Sequence, residues 1–508
     1  MKPLYYVTTP IFYVNGAPHI GHAYTMIAAD VLARFKRLDG YEVYFLTGTD
    51  EHGQKVEKAA QDAGLSPQAF TDQISTNFAE LAAQMNITHD QFIRTTEARH
   101  RVASQAIWNK LQANGHIYLG GYEGWYAIRD EAFYDESELS TNAAGQRVAP
   151  TGAPVEFVTE PSYFFRMSAF QEQLIAHIHA NPDFIGPVAR RNEVLGFLKE
   201  PLRDLSISRT SFKWGVPVPG DEAHVMYVWL DALTNYITAL GYPDENAELW
   251  KFWPADLHLV GKDIIRFHTV YWPTMLMAAG LPVPKRVFAH GWWTVEGEKM
   301  SKSVGNVIDP AELAHVFSVD AIRYFLLREI TFGSDGDYSR AALIRRLNVE
   351  LANDLGNLAQ RTLSFIAKNA GGVMPVRGKA DATLDGFIAA LPGQVREAID
   401  RQGFNDALET IWVAIRAGNA YIDQQAPWTL RKTDLVQMEA VLAKLVDLLR
   451  VVATLLQPFM PESMAKMLDQ LGVSDDARDI ATLLVPIASG TVLPPPAGVF
   501  PRFVEDAA

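Results

Sequence analysis

The stretch from Leu4 to Gly53 constrains the fold more than any other part of this chain. Leu4 to Ile11 has the Tyr, Val and Thr content of a buried strand. After the turn Asn15-Gly16-Ala17-Pro18, apolar residues at helical spacing predict a helix from about His19 to Leu38, with Gly40 placed to stop it. Tyr41 to Thr47 reads as a second apolar strand, ending in Gly48-Thr49-Asp50-Glu51-His52-Gly53. Strand, helix and strand in this order make a right-handed parallel unit, the start of a doubly wound sheet. Ligands of such sheets sit beyond the carboxyl ends of the strands, where the polar turns around His19 and Asp50 both fall.

At 508 residues the chain exceeds one ordinary core, and about two to four domains are expected. Between about Gly120 and Trp214, scattered aromatics, short alternating runs and many turn residues read as an inserted module. Sheet-like segments resume at Tyr227-Val228-Trp229, Leu257-His258-Leu259-Val260 and Arg286-Val287-Phe288-Ala289-His290. From about Ser339 the pattern is helical. Leu343, Leu347, Leu351, Leu355 and Leu358 recur at helical spacing before Gly371-Gly372, and Val436 to Leu456 repeats the pattern. The expected fold class is α/β: a doubly wound parallel, Rossmann-type domain with an inserted connective module, followed by an all-α bundle. The expected boundaries are 1–115 and 227–292 for the halves of the sheet domain, 116–226 for the module, 293–345 for a linking region and 346–508 for the bundle.

The formal net charge is −14. That argues against a partner held mainly by non-specific phosphate attraction, although a local basic stripe can act inside an acidic molecule. Cysteine is absent, so disulfides and thiolate metal ligands are excluded. Neither a basic leader before an apolar run nor a bilayer-length apolar stretch is evident, and a cytoplasmic enzyme is expected.

Two short motifs carry the chemistry. His19-Ile20-Gly21-His22 opens the first helix, whose N-terminus offers N–H groups and a positive dipole end to an anion. The two histidines project from one face of the first turn, and Gly21 removes a side chain where a flat base could approach the backbone. Four such residues alone fit an ATP cradle and an ordinary helix start about equally. Lys299-Met300-Ser301-Lys302-Ser303, followed by Val304-Gly305-Asn306, places two lysines in a Ser/Gly loop. Such a cationic clamp suits charge growing on a leaving pyrophosphate, while a Lys/Ser loop by itself is more often solvated surface.

Together, in this order and on these elements, the two motifs resemble the signature pair of class I aminoacyl-tRNA synthetases. The resemblance to the methionyl-tRNA synthetase family runs over nearly the whole chain. It is carried by Thr9-Pro10-Ile11-Phe12-Tyr13-Val14-Asn15, Thr47 to Gly53, Tyr227-Val228-Trp229-Leu230-Asp231-Ala232, Gly261-Lys262-Asp263-Ile264-Ile265-Arg266-Phe267-His268 and Trp272-Pro273. It implies a methionine–tRNA ligase using ATP with Mg2+, in which His19, His22, Lys299 and Lys302 act on the nucleotide and Gly21, Asp263 and Ser301 help to bind it. It also implies a methionine pocket of Ile11, Tyr13, Asp50, Trp229, Ala232, Leu233, Tyr236, His268 and Trp272. Aromatic walls suit an unbranched, polarizable thioether. Sulfur is a weak acceptor, so the Tyr236 hydroxyl and the His268 imidazole are the expected readers of it, and Asp50 the partner of the α-ammonium.

In the bundle, Asn357 and Arg361 lie one turn apart and Trp428 follows Ala426-Pro427. They match the family's anticodon contacts, and unpaired bases can be splayed out and stacked on Trp or Arg. The resemblance implies elongator and initiator tRNA(Met) as partners. Two departures stand out. Ala127, Asp130, Ala149 and Gly152 occupy positions where the family often has cysteine metal ligands, so a knuckle without zinc is expected. The short tail after Pro494-Pro495-Pro496 leaves no room for an appended RNA-binding, dimerising barrel, and a monomer is expected. The alternatives are a class I synthetase for isoleucine, leucine or valine, a nucleotidylyltransferase, or a catalytically silent RNA-binding relative.

Overall fold

Leu4–Thr8 is the hinge of the architecture, because it has parallel neighbours from both halves of the sheet domain. In the computed structural model, which describes residues 2–130, 132–295, 297–299, 307–378 and 382–504, it pairs with Glu42–Asp50 on one side and Leu257–Gly261 on the other. The main sheet runs in the order Ile185–Gly186, Val287–His290, Leu257–Gly261, Leu4–Thr8, Glu42–Asp50, Phe12–Tyr13, and Gln91–Arg94 also pairs with Glu42–Asp50. All of these pairings are parallel. Successive strands are added to one side of Leu4–Thr8 in the first half of the domain and to the other side in the second, and the crevice at that switch is the expected ligand site of such a sheet.

The first helix spans Ile20–Leu38 with His19 as its N-cap, and Gly40 beyond it takes φ +85°. Its residues from Ala23 to Ala33 are all buried. The sheet covers one side, and the helix Val319–Arg328 packs on it from another. Tyr227-Val228-Trp229 corrects the expected strand: Val228–Leu233 is helical, following the strand Asp221–Met226. Its β-branched and aromatic residues favour a strand locally, whereas in the helix Asp231 is held between two histidines of other segments.

The inserted segment forms an antiparallel sheet in the order Leu205–Ser206, Glu156–Phe165, Ile117–Ala127, Ala132–Tyr134. Its Ile185–Gly186 strand returns to the main sheet beside Val287–His290. In the bundle, the expected leucine-rich helix runs as Arg340–Arg346, a π-helical stretch Leu347–Gly356, and Asn357–Asn369. Leu343, Leu347, Leu351, Leu355 and Leu358 are all buried. Helices Phe404–Gln425 and Leu435–Leu456 cross closely at Gly418, where a Cβ would meet Leu448 Cδ2 at 2.6 Å.

Buried Arg323 stitches this bundle to the sheet domain. It donates to the Asp30 carboxylate at 2.6 Å, to the Met85 carbonyl at 3.1 Å, and to the Pro458 and Phe459 carbonyls at 2.7 and 3.1 Å. No helix among the described residues is long and apolar enough to cross a membrane.

Candidate active site

A cleft of about 450 Å3, a size suited to a small ligand, opens at the carboxyl ends of the central strands. Ile11, Tyr13, His19, Gly21, His22, Asp50, Trp229, Ala232, Leu233, Tyr236, Asp263 and His268 all line it. Residues from four separated stretches of sequence thus meet in one place.

At one end, the helix N-terminus is capped by its own histidines. The His19 N–H donates to His22 Nδ1 at 3.0 Å, and the Gly21 N–H to His19 Nδ1 at 3.1 Å. An Nδ1 that accepts carries no proton, so each neutral imidazole holds its N–H on Nε2, the correct form for donating to a phosphate oxygen. The rings lie 3.9 Å apart. Gly21 has a further reason to be glycine: a Cβ there would stand 2.9 Å from His19 Cε1. Asp263 accepts the Trp292 indole N–H at 3.2 Å, and the Lys262 ammonium sits 4.3 Å from the centre of the Trp292 ring.

His290 approaches Thr25 Oγ1 of the first helix at 2.8 Å. Together with Gly291, Trp292 and Trp293 it lines the same end, and none of these was singled out from the sequence. The available signal was their place, at the carboxyl end of the Val287–His290 strand. Glu298–Lys299 pairs with Trp293–Val295, whereas Ser301 and Lys302 lie outside the described residues.

At the other end is the apolar pocket. Trp229 stacks on Phe267 with centroids 3.8 Å apart and planes 5° from parallel. Asp50 ends its strand in register with Tyr13 and is buried, while the Tyr13 hydroxyl donates to the His52 carbonyl at 3.0 Å. His268 sits in a π-helical turn, Phe267–Tyr271, a feature frequent at functional sites.

Its Nδ1 lies 3.0 Å from the Ile264 carbonyl, which can only accept, so Nε2 receives the Tyr236 hydroxyl proton at 2.7 Å. Burial pushes the His268 imidazolium down to about 4, which keeps the ring neutral at physiological pH. Both protons expected to read the thioether are therefore spent inside the protein. Trp272 is fully buried behind Tyr236, its ring 6.2 Å away, and does not line the cleft.

The inserted module roofs the cleft through Arg129, Asp130, Tyr134 and Thr151. Two matching turns form the knuckle, closed by Asp130 N–H to the Ala127 carbonyl at 3.2 Å and Gly152 N–H to the Ala149 carbonyl at 2.8 Å. Ala127, Ala149 and Ala153 are buried together between them. Asp130 accepts the Tyr134 and Thr151 hydroxyls, and Arg129 donates to the Thr151 carbonyl at 2.7 Å and lies 3.3 Å from Asp130. Among the described residues, no group of three or more His, Cys, Asp or Glu could hold a metal ion.

A smaller pocket in the bundle is lined by Arg361, Ser364, Phe365, Lys368, Ile422, Pro427 and Trp428. The Arg361 guanidinium lies 5.5 Å from the centre of the exposed Trp428 ring and pairs with Asp423 at 2.5 Å. Asn357 is exposed at the start of the same helix as Arg361 but does not line this pocket.

Residues 5–363 match the family described as tRNA synthetases class I (M), and residues 375–508 match the anticodon binding domain of methionyl tRNA ligase. The chain belongs to the methionine–tRNA ligase family. The methionine–tRNA ligase of Mesorhizobium japonicum is 56% identical over 99% of this chain and 98% of its own. That of Rickettsia felis is 54% identical over the full length of both. Mycobacterium tuberculosis methionyl-tRNA synthetase in complex with methionyl-adenylate superposes with a TM-score of 0.96 at 52% identity, over 99% of this chain and 100% of that one. Membership of the methionine–tRNA ligase family decides between the readings that the residues alone left open, and the Rossmann-type sheet with its helical bundle is that family's architecture.

Proposed function

We propose that the methionine–tRNA ligase reaction divides its work along this one cleft. Asp50 holds the α-ammonium of methionine, and the side chain enters between Tyr13, Trp229, Ala232, Leu233 and Tyr236, with Ile11 and His268 beside it and Trp272 backing the wall. His19 and His22 donate Nε2–H to the triphosphate, with Gly21, Asp263 and Ser301 holding the nucleotide. Lys299 and Lys302 follow the charge onto the leaving pyrophosphate. The methionine carboxylate attacks the α-phosphorus, pyrophosphate leaves, and methionyl-adenylate forms. The terminal adenosine hydroxyl of tRNA then attacks the activated carbonyl and releases AMP. No protein nucleophile is used; positioning and charge stabilisation carry the rate. When bound to the triphosphate, Mg2+ would supply screening of its phosphate charge, while His19, His22 and the lysines hold the nucleotide.

The observation that carries this reading is the continuity of the cleft: a histidine-capped helix N-terminus at one end, an aromatic pocket at the other and a buried carboxylate beside the pocket. ATP–pyrophosphate exchange across the twenty amino acids tests it, with exchange above background for methionine as the expected result. Lys302→Ala is expected to lower kcat of that exchange about 10²-fold, with little change in KM for methionine. An unchanged kcat would remove Lys302 from the transition state.

The same reading sends the anticodon to the bundle pocket, with one base stacked on Trp428 and others read by Arg361 and Asn357. Trp428→Ala is expected to raise KM for tRNA(Met) in charging about tenfold, the weight of one base–aromatic stack, and to leave pyrophosphate exchange unaltered. Equal charging kinetics for the two enzymes would place the anticodon elsewhere. Elongator and initiator tRNA(Met) share this anticodon site in the reading, and the enzyme acts as a cytoplasmic monomer, which sedimentation velocity of the full chain can test.

A further inference from the structure

Just behind the cleft, three side chains that do not line it form a closed cluster. Asp231 is fully buried. Its Oδ2 lies 2.6 Å from His52 Nδ1 and its Oδ1 2.7 Å from His100 Nε2. A carboxylate only accepts, so each imidazole turns an N–H toward it. Ser104 Oγ adds a longer contact at 3.4 Å, and His100 Nδ1 lies 3.1 Å from Thr238 Oγ1. Burial alone would raise the Asp231 carboxyl, but the two imidazoles offset this and hold it well below the usual carboxylate range.

What matters is which elements these residues belong to. His52 is two residues beyond Asp50, at the end of the strand Glu42–Asp50. Asp231 sits in Val228–Leu233, between Trp229 and Ala232. His100 comes from the helix Ala98–Ala113, and Thr238 closes the short helix that carries Tyr236. On its other side the Asp50 turn is pinned as well. Buried Glu51 receives Arg94 at 2.7 and 2.9 Å, together with the Thr49 and Thr96 hydroxyls. Glu51 and His52 therefore lie in two separate locks, and Asp50 precedes both.

A buried charged cluster is a poor source of stability compared with apolar packing, and its best-attested use is to fix register between elements. We propose that Asp231 is a positioning residue for methionine: through His52 and His100 it fixes the Asp50 wall of the pocket relative to the helix bearing Trp229, Ala232 and Leu233. This rests on the reading of Asp50 as the ammonium partner. Methionine must touch both walls at once, so a change in their spacing weakens methionine specifically. The nucleotide end is carried by the Ile20–Leu38 helix, the Lys262–Ile264 turn and the Val287–His290 strand, none of which contributes a residue to the Asp231 cluster.

The test is pyrophosphate exchange by the full-length Asp231→Asn enzyme, with methionine and ATP each varied. KM for methionine is expected to rise about tenfold or more, the scale on which small misplacements act, while KM for ATP stays within about twofold. A folded variant whose methionine KM moves less than about twofold overturns the proposal. So does a parallel rise in both KM values, the result of general loosening. Should Asp231→Asn fail to fold, His100→Gln and His52→Gln carry the same test, each expected to raise the methionine KM about threefold with ATP unaffected. Misfolding of all three makes the cluster purely structural and overturns the proposal. Asp50→Asn run alongside separates the two claims. If Asp50→Asn leaves the methionine KM unchanged, the ammonium assignment falls and takes the proposal with it. If it raises that KM while Asp231→Asn does not, the positioning role alone falls.

Discussion

Asp50→Asn is expected to cut kcat/KM for methionine in pyrophosphate exchange about 10³-fold, equivalent to about 4 kcal/mol, with KM for ATP almost unmoved. The carboxylate is buried at the end of its strand, and aromatic rings line the cleft beside it. An ammonium entering there exchanges hydration for this one opposite charge, and truncating such a desolvated pair costs about 2–5 kcal/mol because the remaining charge is stranded. Asparagine keeps the volume of the side chain and removes the charge, so packing is not the cause of the loss. Steady-state exchange with methionine varied at saturating ATP measures the effect. A drop of less than about tenfold would mean that the ammonium is received elsewhere.

The same residue shows what the sequence does and does not disclose. Asp50 and His19 were legible because apolar runs marked their strand and helix, and the carboxyl ends of parallel strands are where ligands bind. The leucine spacing from Leu343 to Leu358 located the bundle, since a buried stripe has to recur at the helical period. The π-helical turns at Phe267–Tyr271 and Leu347–Gly356 were not legible. The first of them gives His268 the Ile264 carbonyl and so allocates the protons between His268 and Tyr236.

The family resemblance likewise implied Trp229 and Trp272 as pocket aromatics without saying which faces the cleft and which stands behind Tyr236. Tyr227-Val228-Trp229 read as a strand because propensity is local, whereas the helix found there brings Asp231 to His52 and His100 from distant segments. Ile185–Gly186 is too short to leave any periodic trace. In each case the missing information is a contact between segments far apart in sequence.

The largest expected effect on stability belongs to a contact of that kind. Arg323→Ala is expected to lower the free energy of unfolding by about 4 kcal/mol, within the range for breaking a buried ion pair from one side. Both Arg323 and Asp30 are completely buried. Burial alone would raise the Asp30 carboxyl, but Arg323, Arg34 and Thr88 outweigh it and hold the group below its ordinary range. Arg34 remains beside Asp30 in the variant at 2.7 Å, so the carboxylate is not wholly stranded. The greater loss lies with the carbonyls of Met85, Pro458 and Phe459, buried acceptors that would keep their desolvation and lose their donor. Those carbonyls belong to the sheet domain on one side and to the bundle on the other, so the variant should also loosen the joint between activation and anticodon reading. Equilibrium urea denaturation followed by circular dichroism is expected to show an earlier transition, broadened as the bundle melts ahead of the sheet. Charging of tRNA(Met) should fall more than pyrophosphate exchange. A loss below about 1 kcal/mol, the value of an exposed pair, would show that water enters the joint and that Arg323 does not hold it closed.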